Sequence, residues 1–418
     1  MIILFIYKTK GTVIGMTEKV YLQNPYLRQL EARIIEKKYM NNKYYVKTNK
    51  TIFYPNLAGG QPGDKGDING VEVIEVYEDG NDIVHVLKSN IHSDRAKLTI
   101  DWENRFDYMQ QHSGQHLLSS VFYKLFNGET IGFYLGKEYV YIDVNIPTIS
   151  REEIEKVEQF ANKIIFSNFI IKSYIVEKEE MYKIPVRKDP IVNSNIRIVE
   201  IDGIDFTPCC GTHVRNTGEI GLIKIRKVEP YKNNIRVEFV CGNRALKDYT
   251  WKNYYIQDIS NLLTCKDKSV YNRVENIFTD REKLKKENRA LREKLSKYMA
   301  KELLQNSETV NGINIIQDKL ADMTLQDVEN IAKNLNSIEN TIILLGIESI
   351  KNSQFIVSRS SNIDINLKTL FTNISKQEKI KGGGSPQTVQ GACNREDLNR
   401  ILKAFYDEIK KSLDKTNG

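Results

Sequence analysis

Two short motifs place the tightest demand on how this chain folds: His112-Ser113-Gly114-Gln115-His116 and Cys209-Cys210-Gly211-Thr212-His213. Residues four apart on a helix share one face, so His112 and His116 can offer two imidazoles to one ion. Cys209 and His213 can add a thiolate and a third imidazole, which together make a nitrogen and sulfur set that suits zinc. Any fold that unites them must lay a helix against a loop far away in sequence. Taken singly, each motif has a plainer account, as exposed helix polars or as a small buried cysteine. The chain has five histidines, three of them inside these motifs, and that concentration favours the shared ion.

A length of 418 residues allows two or three domains with sizeable cores. The net charge of +7 permits a polyanionic partner without requiring one. The 22 tyrosines offer stacking surfaces for bases, although many must serve simply as strand residues. Five cysteines, at 209, 210, 241, 265 and 393, are an odd and unevenly spaced set. They read as reduced thiols of a cytoplasmic protein rather than as a disulfide framework. The apolar run Met1–Tyr7 is too short to span a bilayer and lacks the flanks of a signal peptide.

The pattern along the chain is α+β and multidomain. Residues 1–15 read as a leader or start-site extension, and residues 16–100 as a small β-barrel of hairpins. That segment includes a glycine-rich stretch, Phe53-Tyr54-Pro55-Asn56-Leu57-Ala58-Gly59-Gly60-Gln61-Pro62-Gly63-Asp64-Lys65-Gly66, either a ligand loop or a long turn. Residues 101–250 read as an α+β domain with helices at Phe106–Phe126 and Arg151–Phe166. Its strands are expected at Gly132–Val144, Phe169–Val176, Ile196–Ile201, Ile220–Val228 and Ile235–Phe239. Residues 251–308 form a helical spacer, whose stripe of Leu284, Asn288, Leu291 and Leu295 resembles a short coiled-coil seam. Residues 309–418 alternate strands and helices as an α/β domain. There Gly382-Gly383-Gly384-Ser385-Pro386-Gln387 reads as a glycine loop that lacks the lysine of a Walker motif.

In this order the motifs resemble the alanyl-tRNA editing proteins of the long AlaX type, which are similar to the C-terminal half of alanyl-tRNA synthetase. The stretches Phe53–Gly66, Met109–His116, Cys209–Val214, Arg236–Leu246 and Gly382–Ala392 carry the likeness. The resemblance implies a terminal DHHA1-like domain and one Zn2+ held by His112, His116, Cys209 and His213. It implies hydrolysis of the ester on tRNA(Ala) mischarged with serine, and with glycine as a second substrate. Ser113, Gln115 and Thr212 are the candidate substrate contacts. Gly59, Gly60, Gln61, Arg105, Arg215, Gly383 and Gly384 are the candidates for the nucleic acid, with the terminal adenosine near the glycine-rich stretch. A homodimer through the terminal domain or the spacer is a further expectation.

The chain departs from the family at three places. Cys210 stands where glycine is usual, Asn56-Leu57-Ala58 where an acidic residue and another glycine are expected, and Tyr134 where histidine is usual. Two rival readings stay open. One is a tRNA-binding module with a structural zinc, and the other is a threonyl-type editor.

Overall fold

The computed structural model describes residues 16–189, 194–349 and 352–415, so the proposed leader, residues 1–15, lies outside the described residues. The chain divides into two compact units, Met1–Asp258 and Ile259–Gly418.

In the first unit, β1 (Glu18–Lys19) and the one-turn helix α1 (Val20–Gln23) precede two long strands, β2 (Gln29–Met40) and β3 (Lys43–Thr48). Asn41 and Asn42 both take positive φ, at 51° and 58°. That is the geometry of a two-residue hairpin turn whose twist matches its strands. After β4 (Lys50–Thr51), which pairs with β1, come β5 (Gly66–Ile68), β6 (Val71–Asp79), β7 (Asp82–Leu87) and β8 (Arg95–Ile100). Six of these strands are hydrogen-bonded in the order β2-β3-β7-β6-β5-β8, and β8 pairs back to β2 to close the ring. Val46, Ile68, Val76, Ile83, Leu87 and Leu98 form its apolar core.

Asp101 ends the ring and caps helix α2 (Trp102–Phe126), its side chain accepting from Asn104 N at 3.1 Å. Every residue from Tyr108 to Phe122 in this helix is buried. Leu125, in the last turn, is 40% exposed. The stretch read as one strand at Gly132–Val144 is two, β9 (Thr130–Leu135) and β10 (Val140–Val144), folded at Gly136. Helix α3 (Arg151–Phe166) starts at a capping box of Ser150 and Glu153.

The strands β11 (Ile171–Val176), β12 (Ile196–Ile201) and β13 (Asp205–Pro208) form one antiparallel sheet. β14 (Ile223–Tyr231) and β15 (Asn234–Cys241) join β10 and β9 in another, in the order β14-β15-β10-β9. Leu117, Leu118, Val121 and Phe122 of α2 pack with Ile142, Val237 and Phe239 in the core beneath that sheet. Helix α4 (Gly242–Leu262) leads out of the first unit.

The long helix of the second unit is α5 (Val270–Gln305), within the stretch read as a helical spacer. Leu284, Leu291 and Leu295 are exposed on it, and Asn288 accepts from Arg292 Nε at 2.9 Å. The following elements are β16 (Glu308–Val310), β17 (Ile313–Leu320), α6 (Leu325–Asn336), β18 (Thr341–Ile347), β19 (Ser353–Arg359), α7 (Leu367–Ile374), β20 (Lys381–Gly384), β21 (Thr388–Cys393) and α8 (Leu398–Lys415). The sheet order is β16-β17-β18-β19-β21-β20, with β17 and β18 parallel and the other pairs antiparallel. Gly382, Gly383 and Gly384 therefore lie in an edge strand, not in a loop. A Cβ on Gly382 would come within 2.6 Å of Gly391 Cα, so the glycines let the two chains approach. Among the described residues no helix is long and apolar enough to cross a membrane.

Candidate metal centre

Helix α2 delivers His112 and His116 to one place, one turn apart, with ring centroids separated by 5.2 Å. The loop after β13 brings Cys209 and His213 to the same spot. One ligand atom from each of the four residues lies within 4.8 Å of the others. His112 Nε2 and His213 Nε2 stand 3.5 and 3.4 Å from Cys209 Sγ. A tetrahedron with bonds of about 2.0–2.3 Å has edges of about 3.3–3.8 Å, so the two distances from Cys209 Sγ fit such an ion.

Each imidazole is also held from behind. His112 Nδ1 lies 3.0 Å from Gln61 Oε1, and His213 Nδ1 lies 3.2 Å from Ser113 Oγ. His116 Nδ1 faces Asp205 Oδ2 at 3.6 Å, an ion-pair distance rather than a hydrogen bond. Asp205 is itself clamped by Arg187 and accepts from Thr207 Oγ1 at 2.9 Å. With the outer nitrogen of a ring engaged, the inner nitrogen of His112 and His213 is left to face the cluster. This is the usual support for metal-binding imidazoles.

The electrostatics of the metal-free cluster favour a thiolate at Cys209. Burial alone would push the Cys209 thiol up, but the fields of His112, His116 and His213 outweigh it and hold the group well below its ordinary range. Burial pulls His213 down to about 3, and His112 adds to that effect. For His116 burial also lowers the value, yet Cys209 and Asp205 carry it to about 9. A thiolate beside imidazoles is the donor set a soft divalent ion takes.

The loop has its shape for local reasons. Arg197 NH1 donates to Cys209 O at 2.8 Å and to Gly211 O at 3.0 Å, gathering the turn around one guanidinium. Gly211 sits against the His112 ring, where any Cβ would collide with it. Cys210 is exposed and is not among the four residues whose ligand atoms gather there.

The expected substrate and nucleic-acid residues divide sharply. Ser113, Gln115 and Thr212 are all buried. Ser113 accepts from Val214 N at 3.2 Å besides facing His213, and Gln115 Nε2 donates to Ser119 Oγ at 2.9 Å. Thr212 Oγ1 accepts from Gln61 Nε2 at 2.8 Å. Their polar groups are thus engaged inside the protein: Ser113 faces His213 directly, and Thr212 reaches His112 only by way of Gln61.

Gly59 and Gly60 are exposed, with φ of 59° and 76°, and a Cβ on Gly60 would come within 2.6 Å of the Phe133 ring. Gln61 is fully buried and cannot reach a nucleic acid; its amide is taken up by His112 and Thr212. Arg105 is likewise fully buried. Its guanidinium pairs with Asp64 and donates to Pro25 O at 2.8 Å and Ile52 O at 2.6 Å. It fastens α2 to the ring and does not face solvent. Arg215 is exposed, its guanidinium 4.0 Å from the centre of the Tyr26 ring. Gly383 and Gly384 belong to the second unit.

Sequence reasoning passed over Asp205, Arg187 and Arg197. No local motif marks them, because each reaches the centre from another strand or loop.

Comparison with known proteins follows the same division. Residues 196–238 match the family described as the threonyl and alanyl tRNA synthetase second additional domain, and residues 312–411 match the DHHA1 domain. The alanyl-tRNA editing protein AlaX-L of Pyrococcus horikoshii is 32% identical over 397 residues, covering 90% of this chain and 94% of that protein. The alanyl-tRNA editing protein Aarsd1 of Danio rerio is 29% identical, over 86% of this chain and 88% of its own length. The alanine–tRNA ligase of Methanococcus maripaludis strain C7 is 28% identical over 95% of this chain, which spans only 44% of that larger protein.

Proposed function

We propose, from the premise that the chain belongs to the family of alanyl-tRNA editing proteins, that it deacylates mischarged tRNA(Ala) at a zinc site built by His112, His116, Cys209 and His213. The observation that carries this reading is the convergence of those four side chains, three of them backed by an outer partner on Nδ1. Serine on tRNA(Ala) is the principal substrate and glycine the second.

Zinc, when bound, supplies a Lewis acid that can grip the α-amino group or hydroxyl of the mischarged residue, or activate water. The chain's own residues do the rest. Gln61, Ser113 and Asp205 hold the imidazoles in one orientation, and burial of the centre keeps bulk water from competing. Serine exceeds alanine by one hydroxyl. A polar site that bonds this hydroxyl can reject the analogue lacking it by about 10⁴-fold, whereas an apolar one cannot.

A second reading rests on the ligand count. Four protein ligands close a tetrahedral site, which is the form of a structural zinc in a tRNA-binding module. Purified protein assayed for metal and for deacylation of Ser-, Gly- and Ala-tRNA(Ala), before and after chelation, separates the two. Editing predicts hydrolysis of Ser-tRNA(Ala) far above Ala-tRNA(Ala), lost on chelation while the fold persists. Equal rates on all three, or no hydrolysis at all, refute it. Ser-tRNA(Thr) in the same assay tests the threonyl-type alternative.

A further inference from the structure

A cleft of about 440 Å³ opens beside the candidate metal centre, with His213 in its wall. Three cations line it: Lys172 from β11, Arg197 from β12 and Arg215 from the loop that follows His213. Its lining has no acidic side chain. Lys172 is paired with Glu200 at 3.0 Å. Arg197 and Arg215 have no carboxylate within ion-pair distance among the described residues. Arg197 is half-buried and spends NH1 on the carbonyls of Cys209 and Gly211, while Arg215 rests on Tyr26.

Arg197, half-buried and without a carboxylate partner, favours an anion that reaches it, and the exposed Arg215 adds a second guanidinium to the same cleft. The planar donor forks of arginine suit phosphate oxygens. Ser173 and Asn24 add neutral polar groups to the same walls.

We infer that this cleft is a phosphate subsite that takes the 5′-phosphate of the terminal nucleotide of an RNA 3′ end. The inference rests on the editing reading for the identity of the RNA. A terminal nucleotide carries its phosphate only a few bonds from the ribose oxygen bearing the ester. Seating that phosphate against Lys172, Arg197 and Arg215 leaves the ester next to His213 and its neighbours. Phosphate contacts of this kind fix register and carry no sequence information. The base and the acyl group are then left to other surfaces.

The test uses the full chain with metal loaded, and titrates AMP, adenosine and inorganic phosphate. AMP is expected to bind at least about tenfold more tightly than either of the other two, about the worth of one charge-assisted contact. Lys172→Ala with Arg215→Ala is expected to weaken AMP by about tenfold or more with metal content unchanged, since both side chains are exposed. AMP and adenosine binding alike, inorganic phosphate matching AMP, or a double variant that keeps AMP affinity would each overturn the subsite. The outcome is separable from the editing reading. Wild-type protein that binds AMP but never deacylates Ser-tRNA(Ala) refutes the activity and leaves the subsite standing.

Discussion

Gln61 Oε1 lies 3.0 Å from His112 Nδ1, and the same oxygen accepts from Thr212 N at 3.1 Å. One amide from the glycine-rich stretch therefore holds a ligand of the helix and the backbone of the second motif together. Gln61→Ala is expected to lower metal affinity by about 10–100-fold, the usual cost of removing an outer partner. Gln61→Glu should retain more, because it keeps an acceptor for His112. Competition titration with a metallochromic chelator reads both; unchanged affinity in Gln61→Ala would show that the contact is incidental.

The two adjacent thiols should behave differently. Cys209→Ser is expected to abolish stoichiometric metal, and Cys210→Ser to leave it intact, because only Cys209 lies among the imidazoles. Metal content of the two purified variants is the measurement. Equal loss in both would reassign the ligand.

Arg105 and Asp64 form a fully buried ion pair. Removing one partner strands the other charge, which costs roughly 3–5 kcal/mol. Arg105→Met also leaves Pro25 O and Ile52 O without their donor. Urea unfolding of Arg105→Met should show a loss of that order. A loss below about 1 kcal/mol, the usual ceiling for an exposed pair, would mean the guanidinium is not buried in solution.

His85 gives the fold a pH dependence away from the metal. It is fully buried, with Nδ1 donating to Val46 O at 3.1 Å and Nε2 accepting from Thr51 Oγ1 at 2.8 Å. Burial depresses it from 6.5 to about 4, and the bond to Val46 opposes only part of that. Between these values the unfolded chain binds the extra proton, so stability is complete above pH 6.5 and falls as pH drops toward 4. The full drop is about 3 kcal/mol at roughly 1.4 kcal/mol per pH unit. His85→Gln should flatten that part of the pH–stability curve measured by urea unfolding; a curve superimposable on wild type would contradict it.

The convergence of His112, His116, Cys209 and His213 was legible because HxxxH and CxxxH are local patterns whose chemistry is carried by the residue types themselves. Helix α3 was legible for a similar reason, since its capping box and apolar face lie within one segment. Arg105 was misread because a charge in sequence defaults to the surface, and nothing local reveals that Asp64, Pro25 and Ile52 enclose it. Gln61 was misread for the same reason, as its partners come from two other parts of the chain. The strand β5 carries too few residues for alternation to stand out. The edge strand β20 has glycine in place of the apolar residues that mark a strand.

The bridge made by Arg105 also bears on how the chain can be divided. A fragment beginning at Asp101 would keep all four candidate metal ligands yet expose a guanidinium whose every acceptor had been cut away. It would lose the amide behind His112 in the same stroke. The strand ring is thus a structural part of the first unit rather than an appendage, and the smallest autonomous piece should run through to about Asp258.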